Sequence, residues 1–162
     1  PADDTFLFHQ GPTRGLGEIR FPDYESVYGD FSQPNVTIFC DQIAVFKEML
    51  EKAAPGQAQA NDVDFLLAVG ELFTLVVYGQ LLLENARIYG VEDDLVDQIF
   101  DVFIRDFSRF ALQLHGKPSS TEVQMEHCLR MIAKPAVDAA RSEKIWQAQV
   151  LPLAGLPPYR DR

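Results

Sequence analysis

The chain has 162 residues, 47% of them hydrophobic and 23% charged, the proportions of a globular domain able to bury its own core; these exclude a collagen, a disulfide scaffold and a disordered tail. Twenty-four acids against fourteen bases leave a net charge of −10, which opposes any partner bound by phosphate neutralisation, so nucleic acid is not an expected ligand. Cys40 and Cys128 stand 88 residues apart with no CxxC spacing and no basic-then-apolar leader opens the chain, so a reduced, cytoplasmic protein is expected.

Residues 1–35 hold four of the ten glycines and four of the ten prolines, too many for a regular element, and are read as an extended arm. Phe6, Phe8, Phe21 and Phe31 punctuate this arm and require a surface to pack on. From Val36 the periodicity becomes helical. Val36, Phe39, Cys40, Ile43, Phe46 and Leu50 recur at three and four, with Asn35 as the expected N-cap. Ala53-Ala54-Pro55-Gly56 stops this first helix.

The second predicted helix runs from about Asp62 to Tyr89, capped by Asn61 or Asp62 and ended by Gly90. It is apolar on nearly every side, which predicts a helix central to a bundle. The stretch 65–83 approaches membrane-spanning length, but Glu71 and Gln80 interrupt it and acids rather than bases flank it, so no membrane span is expected. A third helix starts at Glu92, Asp93 and Asp94, where acids complement the positive end of the dipole. Its apolar stripe is Val96, Ile99, Phe100, Phe103, Phe107, Phe110 and Leu114, with Asp97, Asp101, Arg105, Ser108 and Arg109 read as the solvent face. It ends at His115-Gly116-Lys117-Pro118. Ser119 and Glu122 form the expected capping box of a fourth helix, which Pro135 breaks. A shorter fifth piece contains Val137, Ala140, Ile145 and Trp146. The predicted class is therefore all-α: a four-helix-bundle-like domain at 36–149, an extended arm at 1–35 and a tail at 150–162.

No complete catalytic or metal site is legible. Neither His115 nor His127 has a glutamate three residues earlier, so the Glu-x-x-His pattern of di-iron bundles fails and no metal site is expected. The run Gly11–Gly17 lacks the Lys-Ser/Thr end of a phosphate loop and reads as a turn, with Arg14 as an anion contact. Glu71 and Glu84 lie 13 residues apart on one helix, too far to act as a dyad, and one of them is expected to form a structural pair with Arg105 or Arg109. No Gly-x-Ser-x-Gly elbow occurs.

The runs 64–74 (DFLLAVGELFT), 107–116 (FSRFALQLHG) and 129–135 (LRMIAKP) resemble the C-terminal helical region of acyl-CoA dehydrogenases, most strongly between Asp64 and Lys134. In that family a C-terminal four-helix bundle follows a helical domain and a β-domain, and the enzymes use FAD to oxidise an acyl-CoA thioester at Cα–Cβ. A Gln-hydrophobic-x-Gly-Gly turn late in the bundle contacts the flavin of a neighbouring subunit. Gln113-Leu114-His115-Gly116 resembles that turn, with Lys117 at the second glycine. The resemblance implies Gln113, His115 and Gly116 as FAD contacts, and a helical domain or subunit that completes a flavin or acyl-CoA site with a partner dehydrogenase chain. The alternative expectation is a non-enzymatic helical interaction protein that forms homo-oligomers, its Phe-rich arm clasping a second copy.

Overall fold

The computed structural model describes residues 23–153, which form six α-helices and no strand. The all-α class is therefore as expected. The expectations for Phe6, Phe8, Phe21, Arg14, the 11–17 turn and the tail from 154 concern residues outside those described.

The second part of the arm corrects the extended reading: Tyr24–Gly29 is a helix, α1. Asp23 caps it by accepting from the Glu25 amide, and burial of Val27 and Tyr28 against the rest of the molecule holds the short helix in place. Helix α2, Pro34–Lys52, also starts differently from the sequence expectation. Gln33 is the N-cap and Pro34 occupies the first turn, where its missing N–H is no loss. Asn35 is thus inside the helix and fully buried, so it caps nothing. Helix α3, Val63–Tyr89, starts at Asp62, whose carboxylate accepts from the Asp64 and Phe65 amides at 3.1 and 3.2 Å. It ends at Gly90, which takes a φ of 63° that favours glycine.

Helix α4 spans Asp93–His115 and α5 spans Glu122–Arg130. The capping box of α5 is Thr121 with Gln124 rather than Ser119 with Glu122. Ser119 instead donates to Asp62 at 2.6 Å, tying the α4–α5 turn to the start of α3. Helix α6, Ala139–Ile145, is capped by Asp138. A π-helical turn, Trp146–Val150, and a 3₁₀ turn, Leu151–Leu153, carry the helical path beyond it into the expected tail.

The central helix is α4, not α3. It packs against α2, α3, α5 and α6, while α1 lies across α3. The reason is aromatic: α4 contributes Phe100, Phe103 and Phe107 to a ring cluster around Phe39 of α2, with centroids 5.5, 5.6 and 5.4 Å from that ring in edge-to-face arrangement. Tyr28 joins the cluster and donates its hydroxyl to the Val76 carbonyl of α3 at 2.8 Å.

Gly79 makes this approach possible, because a Cβ there would lie 2.3 Å from the Tyr28 hydroxyl and 3.3 Å from the Phe39 ring. Alanine gains about 1 kcal/mol of helix propensity over glycine, but the displaced hydroxyl leaves its buried bond and its ring is fixed by neighbours, a loss of about 1–3 kcal/mol each for bond and packing. Gly79→Ala is therefore expected to destabilise the protein by about 1–5 kcal/mol in urea titration. Tyr28→Phe removes the clashing atom, so the double variant should lose less than the sum of the two single losses. Simple additivity would contradict the contact.

Candidate functional site

Helix α3 buries Phe65, Ala68, Leu72, Val76, Gly79, Leu83 and Ala86, a spacing of three and four that makes one stripe against the bundle. The outer side carries Val63, Leu66, Leu67, Gly70, Thr74 and Leu81, all exposed, while Phe73 and Tyr78 flank it on opposite edges, Phe73 beside Ile43 and Phe46 of α2 and Tyr78 with its ring 5.5 Å from that of Phe103 on α4. Leu67 is 63% exposed, and Phe73 and Tyr78 are each 58% exposed. Together they form an exposed apolar patch, the kind of surface that on a soluble domain often marks an interaction site. This overturns the expectation of a helix enclosed on all sides: among the described residues, the neighbours of α3 leave its outer side open. It is long and apolar enough to cross a bilayer, and one third of its most apolar window is buried. Length and apolarity of this kind also occur in core helices.

Along one edge of this face, α3 and α4 diverge into a groove of about 470 Å³ lined by Leu66, Leu67, Gly70, Thr74 and Phe110. Gly70 has open space above it. Toward the end of α4 the groove runs on past Glu71 into a second one of about 430 Å³, where Gln113 and Gly116 meet Lys117 and Asp64. Two of the three residues singled out by the resemblance are thus brought together, whereas His115 is half-buried on the last turn and does not line the groove. The Lys117 ammonium lies 2.7 Å from the Asp64 carboxylate.

Neither glutamate of α3 is the paired carboxylate expected. Glu71 is exposed, and Glu84 accepts a bond from Gln80 of its own helix at 3.3 Å. Arg105 and Arg109 instead serve α4, pairing with Asp101 at 2.6 Å and Asp106 at 3.2 Å, because i,i+3 and i,i+4 partners are nearer than another helix. Burial pushes both thiols up, Cys40 (with Asp41 adding to the effect) and Cys128 each to about 11, opposite to the shift that a nucleophilic cysteine needs. Among the described residues, no three His, Cys, Asp or Glu side chains converge in a metal-binding group.

The buried polar centre lies elsewhere, and it includes Asp97 and Ser108 from the expected solvent face of α4 and Asn35 from the expected cap. Asp97 is 3% exposed and pairs with Arg141 of α6, itself 7% exposed. The Asn35 backbone amide donates to Asp97 at 2.6 Å, its side-chain amide reaches the Asp97 carbonyl at 3.0 Å, and its oxygen accepts from the Ala136 amide at 2.7 Å. Arg141 also donates to the Ala136 carbonyl at 3.0 Å. The network fastens the start of α2, the start of α4 and the base of α6 to one another. A second cluster joins Gln42 to the Met131 carbonyl at 2.7 Å and to Ser108 at 3.0 Å, and a third joins Gln59 to Gln124 at 2.7 Å. Only Asp97 carried a sequence signal, since it sits beside Val96 and four residues before the other buried acid of α4, Asp101.

Fold and site together define a helical bundle with enclosed structural polar networks and one large bare apolar face. No protein-family model matches the chain, and neither a curated protein nor a solved structure is significantly similar to it.

Proposed function

We propose that this chain is a non-enzymatic helical interaction module that associates with a second copy of itself through the outer face of α3. The observation that carries this reading is the run of exposed apolar side chains along the outer side of α3 from Val63 to Leu81, among them Leu67 at 63%. Burying such a face is favourable at roughly 25 cal/mol per Å² before the cost of association is met. Its polar content is low enough that no fixed hydrogen-bonding partner is required.

The test is the molar mass in solution by size exclusion with light scattering. A dimer is expected for the wild-type chain, and Leu67→Glu with Tyr78→Glu should give a monomer of unchanged helicity, because two charges would be desolvated at the interface. A wild-type monomer, or quantitative capture of the protein by phosphatidylcholine vesicles in place of dimerisation, would overturn the reading.

A second reading is favoured by the shared position of Gln113 and Gly116 on one groove: a dehydrogenase-like helical subunit completing a flavin or acyl-CoA site in another polypeptide. Quenching of FAD fluorescence by the chain together with a partner dehydrogenase, lost in Gln113→Ala, supports it. Unchanged fluorescence removes it.

A further inference from the structure

Among the described residues, the α3 face is accompanied by a second exposed apolar segment. This is the short arm that follows α6. Every residue of Trp146–Leu153 is exposed, including Trp146 at 51%, Leu151 at 43% and Leu153 at 62%. The arm carries no charge in its eight residues, WQAQVLPL. Its backbone is closed in the π register, the Leu151 amide donating to the Trp146 carbonyl, which sets the tryptophan and the leucine one above the other. π turns are rare and are found mostly where function compensates their cost. The base of the arm is rigid, because Arg141 is held in the buried network with Asp97 and Asn35, and Lys144 pairs with Asp94.

We propose that the occupant of the α3 face is the arm Trp146–Leu153 of a second copy, exchanged reciprocally across a two-fold axis. The inference rests on the preceding reading that α3 is the self-association surface, and names what covers it. Two observations favour the exchanged arm, the first over a second α3 and the second over the arm of the same chain. The first is charge: α3 against α3 would bring the flanking Asp64, Glu71 and Glu84 of two chains, each of net charge −10, toward one another, whereas the arm brings none.

The second is reach. Helix α6 is rooted beside Asp94 and Asp97 on α4, while Leu67 lies beside Gln113 and Lys117 at the other end of that helix. The sixteen residues from Asp97 to Gln113 span about 24 Å and a helical arm of eight residues about 12 Å, so the arm cannot cover this part of the face on its own chain. Trp146, half exposed at the start of the arm, supplies an aromatic anchor for such a contact. Reciprocal exchange also closes the symmetry, leaving no free arm to propagate a filament.

The test compares arm and face variants of the full chain by sedimentation equilibrium, with far-UV circular dichroism to confirm folding. All four substituted residues are largely exposed, and the circular dichroism controls for loss of the Tyr78 ring contact with Phe103. Trp146→Glu with Leu151→Glu is expected to weaken the dimer about 100-fold or more, the loss of two buried anchors. Leu67→Glu with Tyr78→Glu should do the same. Mixing the two variants should restore a dimer of intermediate affinity, because one intact arm still meets one intact face, while each variant alone stays monomeric. An arm variant that dimerises like wild type, with the face variant monomeric, overturns the exchange and leaves the α3 reading standing. A face variant that dimerises like wild type overturns that reading itself. Absence of recovery in the mixture contradicts the exchange.

Discussion

Phe39→Ala is expected to lower the unfolding free energy by about 3–5 kcal/mol, the range for removal of a fully enclosed aromatic ring. Phe39 has no exposed surface, and its ring is bounded by Phe100, Phe103 and Phe107 of α4 and by Tyr28 of α1. Whether a vacated site collapses decides where in the range a loss falls, and this one is poorly able to collapse. Tyr28 is held by its bond to the Val76 carbonyl, and Phe100 and Phe103 stack on each other with centroids 5.1 Å apart. The cavity is therefore largely retained, and the upper half of the range applies. Urea titration followed by circular dichroism gives the value. A loss below about 1 kcal/mol would mean that the cluster repacks freely and does not organise α1, α2 and α4. Phe73→Ala is the control: its ring is 58% exposed, so the monomer should change by no more than about 0.5 kcal/mol.

Arg141→Ala should cost about 3–5 kcal/mol, because removing one partner of an enclosed ion pair leaves the other charge without compensation. Asp97 would remain in the core, bonded only to Asn35, and α6 would lose both its anchor and the guanidinium bond to the Ala136 carbonyl. The expected result is a lower urea midpoint together with faster proteolysis after residue 138, since the base of α6 is released. Replacing both members, Asp97→Leu with Arg141→Met, is expected to be far less destabilising than either single removal, as no charge is then stranded. If the double replacement costs as much as the sum of the singles, the pair is not coupled. By contrast, pairs such as Lys47 with Glu25 and Arg87 with Asp30 are open to water on both sides, and their loss should leave the urea midpoint almost unchanged.

How much of the site was legible can be judged from individual residues. Asp62 and Gly90 bound α3 as read from the chain, because a carboxylate that accepts from the first helical amides and a glycine free to take positive φ are local requirements. The start of α2 was misread for an equally physical reason. Asn35 is a good cap in isolation, but Pro34 suits the first turn and a side chain 62 residues distant, Asp97, competes for the asparagine. Asp97 itself was placed on the solvent face since its charge outweighs its position; only the arrival of Arg141 makes its burial tolerable. The Ser119 and Glu122 cap failed likewise: Ser119 is taken by Asp62, and Thr121 with Gln124 closes the box two residues later.

The apolar continuity of α3 shows the same division most sharply. Composition and periodicity alone determined that residues 63–89 would be one long helix, that it would end at a glycine, and that the protein would be built of helices, because backbone hydrogen bonding, capping and turn geometry are settled within a few residues. They did not determine which side of α3 would be covered. A helix apolar all round has no preferred face, so its orientation is decided by whichever neighbour offers the better-packed surface, here the aromatic rows of α2 and α4 and the Tyr28 contact over Gly79. The tertiary structure spent those partners on one side of the helix and left Leu67, Phe73 and Tyr78 in water, and that choice, a competition between non-local contacts, creates the surface from which the proposed function follows.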